Sequence, residues 1–359
     1  MTSLSHVAPG RSLLAGNKLP RGTAWAVLGV SILLSAGLFA LLAAADGVGF
    51  NLPGAAVVAA LVYLVAIWGI SAAVEGRRQA ADRLVTGLVT GAFVLAMVPL
   101  ISVAGTVIGN GLARLDVDFF SMSMRNVTGE GGGALHAMVG TLMITLAASV
   151  ISIPLGLLTA IYLVEYGKGK LAKMITFLVD VMTGIPSIVA GLFAYALFAI
   201  MFGPGIRLGI SGAVALAVLM TPVVVRSSEE MLRLVPNELR EAAYALGVPK
   251  WLTIVKVVLP TSIAGITTGV MLAISRVIGE TAPLLIAAGF TANMNYNLFA
   301  DRMQSLPVYV YTQYANQGNP AQAFLDRAWA AALVLILIVM ILNLAARLVA
   351  KFFAPKTGR

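Results

Sequence analysis

Uninterrupted apolar runs of about 20 residues recur along the whole chain, and no other feature restricts its fold as much. Coiled into a helix, each run is long enough to cross about 30 Å of hydrocarbon. Inside a bilayer the backbone has no water to bond, so only helices and closed barrels satisfy their N–H and C=O groups. The runs are continuous and do not alternate with period two, which selects helices over a barrel. The chain therefore reads as an all-α integral membrane protein with about eight transmembrane helices, at roughly 24–45, 54–74, 84–109, 135–163, 174–200, 212–225, 262–289 and 328–349.

Composition agrees. Of 359 residues, 59% are hydrophobic and 11% charged, with mean hydropathy +0.94. A soluble domain carries about 25% charged residues, so this chain lacks the polar surface to cover itself in water. The net charge of +9 would raise nucleic-acid binding in a soluble protein. Here the basic residues lie between apolar runs, so they report topology and no nucleic-acid partner is expected. There is no cysteine, which excludes disulfides, thiol catalysis and cysteine metal sites. His6 and His136 make no metal site on their own. Ala43, Ala44 and Ala45 resemble a signal-peptidase site, but the apolar run before them is long for a signal peptide, and we read it as a retained first span.

Placing the N-terminus in the cytoplasm puts 18 of the 24 Lys and Arg residues on the cytoplasmic side and five outside, with Arg276 inside a span. That bias predicts both termini in the cytoplasm. The connector Glu75–Gln79 separates two spans, an N-terminal extension over 1–79, from six spans over 80–359.

The sharpest local signal is the cytoplasmic loop 226–260. Pro236 ends or restarts a helix, and Asn237 is placed to cap the next one. Glu238 and Glu241 fall in its first turn, where the positive helix end favours anions. Leu239, Ala242, Ala243 and Leu246 form a small apolar face, Gly247 suits the C-terminal stop, and Pro249 follows. The expectation is a short amphipathic helix lying across the bundle. From these residues alone, an ordinary connector fits equally well.

Glu241-Ala242-Ala243, three residues, Gly247, nine residues, then Val257-Val258-Leu259-Pro260 resembles the EAA loop of ABC importer permeases. Val257 departs mildly from the usual Ile. The stretch Gly265–Leu285 with Arg276 and Glu280, the segment Pro186–Gly191, Gly140 to Thr145, and Ser305–Tyr309 resemble the permease subunits of bacterial phosphate ABC importers, PstA type. The likeness covers about 80–359 and leaves 1–79 aside. It implies a six-helix, type I (MetI-like) permease core plus two extra N-terminal helices. It also implies that the loop is a coupling helix, with Glu241, Ala242, Ala243, Gly247, Leu259 and Pro260 at the docking site of an ATPase subunit. The implied partners are a second homologous permease (PstC type), two ATPase subunits (PstB type), a periplasmic or lipid-anchored phosphate-binding protein (PstS type) and the lipid bilayer.

Arg276 and Glu280 are four residues apart within the seventh span, so a continuous helix would place them on one face. A charge at mid-membrane costs about 2.5–3.5 kcal/mol, so such residues face the bundle interior. Gly269 and Ala273 on much the same face permit close approach of another helix. Two readings stand. Either Arg276 lines the phosphate path, its planar fork suited to phosphate oxygens, with Glu280 positioning it or keeping the empty site from binding anions too tightly, or the pair is a buried structural salt bridge that locks this helix to a neighbour. Asp180 can cap a helix, meet Lys173 or touch the path. Pro154, Pro186 and Pro222 either break helices around a cavity or only kink them. Tyr309, Tyr311 and Tyr314, with Trp329, suit the membrane interface, with an outer gate or docking surface as the alternative.

No phosphate-binding loop is present: Gly167-Lys168-Gly169-Lys170 lacks the upstream glycine. The chain is expected to hydrolyse no ATP, to bind no cofactor and to have no catalytic residues, leaving ATP and Mg to the ATPase subunits. The rivals to phosphate import are an ABC permease for molybdate or sulfate, and an ATP-independent secondary transporter.

Overall fold

The computed structural model describes residues 19–353, apart from 21 and 48. His6, Arg11, Lys18, Arg21, Lys356 and Arg359 lie outside the described residues. Among the described residues there is no strand. The helices are α1 (Thr23–Asp46), α2 (Leu52–Val74), α3 (Arg77–Gly111), α4 (Val117–Ser121), α5 (Leu135–Ile161), α6 (Gly169–Thr183), α7 (Ser187–Phe202), α8 (Gly209–Arg233), α9 (Asn237–Ala245), α10 (Lys250–Thr253), α11 (Leu259–Val277), α12 (Ala282–Ala287), α13 (Leu306–Ala315) and α14 (Ala321–Phe353). Among the described residues, 7 helices are long and apolar enough to cross a membrane, and α6 with α7 makes an eighth span if the pair is counted as one.

That pair corrects the expected continuous fifth span. α6 and α7 meet at 108° across Gly184, Ile185 and Pro186. Pro186 lacks the N–H a continuing helix needs, and its ring clashes with the preceding turn. Pro154 and Pro222, by contrast, sit inside α5 and α8 without ending them. The sixth span is longer than the expected 212–225, because α8 continues as far as Arg233. The seventh is shorter at its far end: α11 stops at Val277, and α12 begins only at Ala282.

The chain divides into two compact units, Met1–Ala104 and Gly105–Arg359. Positions 79 and 80 lie inside α3, which runs unbroken. In the first unit α1 and α2 form a hairpin whose buried faces carry small residues: Ser31, Ser35, Ala55, Ala59 and Ser71. Gly54 lets Phe39 approach so closely that a Cβ there would stand 2.7 Å from the ring. Without a hydrophobic drive between helices in lipid, such close packing holds them together. Glu75 closes the hairpin. Its carboxylate accepts bonds from the Leu19 amide at 2.7 Å, Ser71 Oγ at 2.8 Å, and Arg83 Nε and Nη2 at 2.7 and 2.9 Å.

In the second unit α8 is the central helix. It runs parallel to α5, with Gly212 facing Ile144, Ser152 Oγ donating to the Ala217 carbonyl at 3.3 Å, and Gly156 set against Val224. It runs antiparallel to α11, with Gly265 against Met231 and Gly269 against Ser227. A Cβ at Gly269 would lie 2.5 Å from the Ser227 side chain, so the expected close approach at this glycine is made by α8. The core joins Ile144, Ala148, Leu216, Met220, Val224, Ala273, Val277, Leu284 and Met303. Tyr309 is fully buried in a second cluster with Phe119, Leu306 and Ala331, so of the expected interface tyrosines only Tyr311 and Tyr314 are exposed.

Candidate functional site

The segment after α8 folds as the proline and glycine punctuation dictates. Pro236, with φ −57° and ψ 141°, is the N-cap of α9. Asn237 is therefore the first helical residue and not the cap, and its side chain accepts a bond from Arg240 Nη1 at 3.3 Å. At the other end Gly247 adopts φ +77°, a left-handed conformation glycine takes without strain. Gly247 N donates to the Tyr244 carbonyl at 2.9 Å and Val248 N to the Ala243 carbonyl at 3.1 Å. These two bonds make a Schellman stop. The short helix α10 then enters a π-helical turn, Ile254–Val258, and α11 starts with Pro260 in its first turn.

The expected apolar face of α9 is only partly used. Ala243 is buried against the body of the chain, while Leu239 and Tyr244 are exposed and Leu246 is 84% exposed. Leu234 and Trp251 on either side are exposed too. Of the six residues assigned to docking, Glu241, Ala242, Gly247 and Pro260 are exposed. Leu259 is half-buried beside Leu232 and Val258. Ala243 and Leu259 thus serve packing, and the free surface of the segment is made by the others.

Two charged clusters hold this segment and its surroundings. In the first, a π-helical turn at the end of α5, Tyr162–Tyr166, includes a buried Glu165. Arg240 Nε and Nη2 donate to Glu165 Oε1 at 3.0 and 2.9 Å. The same guanidinium reaches the Val235 carbonyl at 2.6 Å and the Leu232 carbonyl at 3.0 Å, satisfying orphan acceptors around the end of α8. Lys250 Nζ donates to the Glu165 carbonyl and stands 4.8 Å from the centroid of the Tyr166 ring. The α9–α10 segment is thus fastened to α5 from both sides. In the second cluster Glu229, its side chain 7% exposed, accepts from Arg226 at 3.0 Å and Arg233 at 2.7 Å. Arg226 also pairs with Asp180 on α6. Asp180 therefore meets Arg226 and not Lys173. A cleft of about 420 Å³ lies between these helices, lined by Lys173, Thr176, Asp180, Glu229 and Arg233 among others.

Arg276 and Glu280 do not form the pair that a continuous helix implied. Their separation by four residues matters only if the helix runs on, and it ends at Val277. Arg276 is exposed, Glu280 half-buried, and neither makes an ion pair among the described residues. The register of α11 on α8 locates Arg276. Gly269 faces Ser227, and seven residues onward along α11 correspond to the middle of α8. A charged, unpaired side chain is thus held on the surface of this chain halfway along its central helix.

Sequence reasoning missed both clusters. Arg226, Glu229 and Arg233 carried a readable signal, since i, i+3 and i+7 spacing shares one helix face. Glu165 carried none, because its partner lies 75 residues away.

Residues 152–359 match the family described as binding-protein-dependent transport system inner membrane component. The chain is 45% identical over 286 residues to the phosphate transport system permease protein PstA 1 of Mycobacterium tuberculosis (strain ATCC 25618 / H37Rv), an alignment covering 79% of this chain and 91% of that one. It is 38% identical over 280 residues to the phosphate transport system permease protein PstA of Haemophilus influenzae, covering 78% and 96%. Among solved structures it resembles a bacterial alginate ABC transporter with TM-score 0.54, at 13% identity over 78% of this chain and 97% of that one. It also resembles the inward-facing MetNI methionine ABC transporter with TM-score 0.50, at 19% identity over 67% and 100%. At such identities these two likenesses concern the fold alone.

Proposed function

We propose, for a chain that belongs to the family of binding-protein-dependent transport system inner membrane components, that it is a transmembrane permease subunit of an ATP-driven importer of inorganic phosphate in the bacterial plasma membrane. Arg276 is the observation that carries the reading. An exposed guanidinium at the end of α11, level with the middle of the membrane helix α8, costs about 2.5–3.5 kcal/mol if it faces lipid. It must therefore face another protein chain or a water-filled path. A path for a divalent oxyanion needs a fixed cation at that depth, and guanidinium presents a planar fork to its oxygens. The names of the two aligned relatives supply the anion.

The remaining parts fit the same machine. Positive residues concentrate at the α9 end of the bundle, which supports a cytoplasmic position for that end and for both termini. There the exposed Glu241, Ala242 and Gly247, with Leu246 and Trp251, present a stiff polar and apolar surface suited to the groove of an ATPase subunit. Two such ATPase subunits, which hold the ATP and Mg, a second homologous permease and a phosphate-binding protein outside complete the importer. This chain holds no nucleotide and moves phosphate by opening to either side in turn.

The test is phosphate uptake by vesicles carrying the full complex. Arg276→Gln should co-purify with the ATPase and lose uptake, while Glu241→Lys should lose the ATPase. Normal uptake by Arg276→Gln would remove the path assignment. Uptake in the absence of any ATPase subunit would replace the ABC reading with a secondary transporter, and preference for molybdate or sulfate over phosphate would change the substrate.

A further inference from the structure

At the end of α8 opposite the α9 segment, two arginines lie over one glycine. Gly289 closes α12 with φ +76°, its amide bonded to the Leu284 carbonyl at 2.9 Å. A Cβ at this position would stand 3.1 Å from Arg207 Cδ and 3.3 Å from Arg302 Cδ. The two stems thus run side by side across a backbone that only glycine leaves open.

Their backbones are tied together. Arg207 sits just before Leu208, the N-cap of α8. Ser211 Oγ in the first turn donates to the Ala287 carbonyl at 2.6 Å, and Ile210 N donates to the Leu298 carbonyl at 2.8 Å. On the other side Asn295 Nδ2 donates to the Arg302 carbonyl at 3.1 Å. Met303 N donates to the Ala288 carbonyl at 3.2 Å, and Met303 is buried in the core. Three segments, before α8, after α12 and before α13, are therefore knotted around Gly289, and each arginine leaves from a fixed point.

Among the described residues no carboxylate neutralises them. Neither arginine makes an ion pair or a side-chain hydrogen bond among the described residues. Asp301 is adjacent in sequence but makes no ion pair with either. The start of α8 adds its own positive partial charge nearby. Two like charges on a rigid frame repel, and an oxyanion between them turns that repulsion into attraction. Arg302 is exposed and Arg207 half-buried, so an anion reaches them from water.

We propose that Arg207 and Arg302 form an entry site for a tetrahedral oxyanion, inorganic phosphate in the reading above, on which this inference rests. Under the proposed orientation it lies on the outer side, where phosphate arrives before it meets Arg276.

The test uses the purified complex in lipid nanodiscs without the binding protein, with inorganic phosphate followed by ³¹P line broadening. Arg207→Gln/Arg302→Gln keeps both stems over Gly289 and removes both charges. It should abolish the broadening component that Arg276→Gln retains. In vesicles it should raise the phosphate concentration for half-maximal uptake roughly tenfold, the scale of one lost charge-assisted hydrogen bond. Maximal uptake and ATPase co-purification should stay within about twofold of wild type. Arg302→Glu, which lets the two residues pair with each other, should reproduce the loss. Unchanged broadening in the double variant overturns the site. So does a variant that only weakens association of the binding protein, since the arginines would then be meeting its carboxylates. A wild-type complex that takes up no phosphate removes the underlying function, an outcome distinct from a transporting complex whose ³¹P signal ignores these arginines.

Discussion

The clamp between Arg240 and Glu165 makes a prediction in which the two partners are unequal. Their side chains are 12% and 5% exposed, so the pair is largely out of water. Arg240→Ala strands the Glu165 carboxylate without its cation and deprives the Val235 and Leu232 carbonyls of their donor. Removing one partner of a buried pair costs about 3–5 kcal/mol. Glu165→Gln is milder, because the amide oxygen still accepts from Arg240, which also keeps both carbonyls. Replacing a charged acceptor by a neutral one costs about 1–2 kcal/mol. The difference of about 2–3 kcal/mol corresponds to roughly 30- to 150-fold in the opening equilibrium of the segment. Hydrogen–deuterium exchange of the purified protein reads this directly, at the Leu246, Gly247 and Val248 amides that close α9. Arg240→Ala should bring their exchange close to the unprotected rate, while Glu165→Gln should leave most of the protection. Equal loss in the two variants would refute the asymmetry, and with it the view that Arg240 joins α5, α8 and α9 at one point.

Four further outcomes follow from the geometry. The Arg83 side chain first, and then the Leu19 amide, hold the Glu75 carboxyl down at about 2 from the usual 4.5. Its contribution is therefore complete above the ordinary carboxylate range and is lost as pH falls toward 2, so thermal melts should show an acid-induced loss in wild type that Glu75→Gln lacks. Gly140→Ala places a methyl group 2.0 Å from the Gln304 carbonyl oxygen, a backbone atom that cannot swing aside; it should cost at least the upper end of the usual overpacking range, about 3 kcal/mol, and lower both yield and melting temperature. Glu229→Gln, which strips a buried bridge from two arginines, should destabilise by about 2–3 kcal/mol. Asp180→Asn, whose side chain is 58% exposed, should cost less than about 1 kcal/mol in the same denaturation assay.

The number and order of the membrane spans, eight when α6 and α7 are counted as one, were legible because apolar run length measures membrane thickness directly. Ends were less legible, each for a local reason. The apolar run of the sixth span stops at Arg226, but the helix goes on through Arg233, because Arg226, Glu229 and Arg233 satisfy one another along its side. The break at Gly184–Pro186 hides inside a run that hydropathy reads as continuous. The pairing of Arg276 with Glu280 assumed a helix through Gly279, and the chain turns there instead. The stop at Gly247 was legible, since a left-handed residue between Leu246 and Pro249 leaves little choice. The cap at Asn237 was not, because Pro236 already supplies the extended conformation that a cap requires. Contacts such as Glu165 with Arg240 depend on which helix ends meet, which no spacing along the chain encodes.

Exposed apolar surface says little about partners in a membrane protein. The most apolar stretch of α3 has no buried residue, yet lipid covers such a face without cost. Lipid cannot do the same for Arg276. Its exposure is informative because the surrounding solvent is hydrocarbon: the same side chain on a soluble helix would need no explanation. Water or protein must reach it, and among the described residues no carboxylate pairs with it. The described residues thus leave Arg276 open halfway along α8, whereas the α9 end closes on itself through Glu165 and Glu229. Under the proposed function, an open face at that depth fits a path shared by two chains, since each must leave open the face that the other lines.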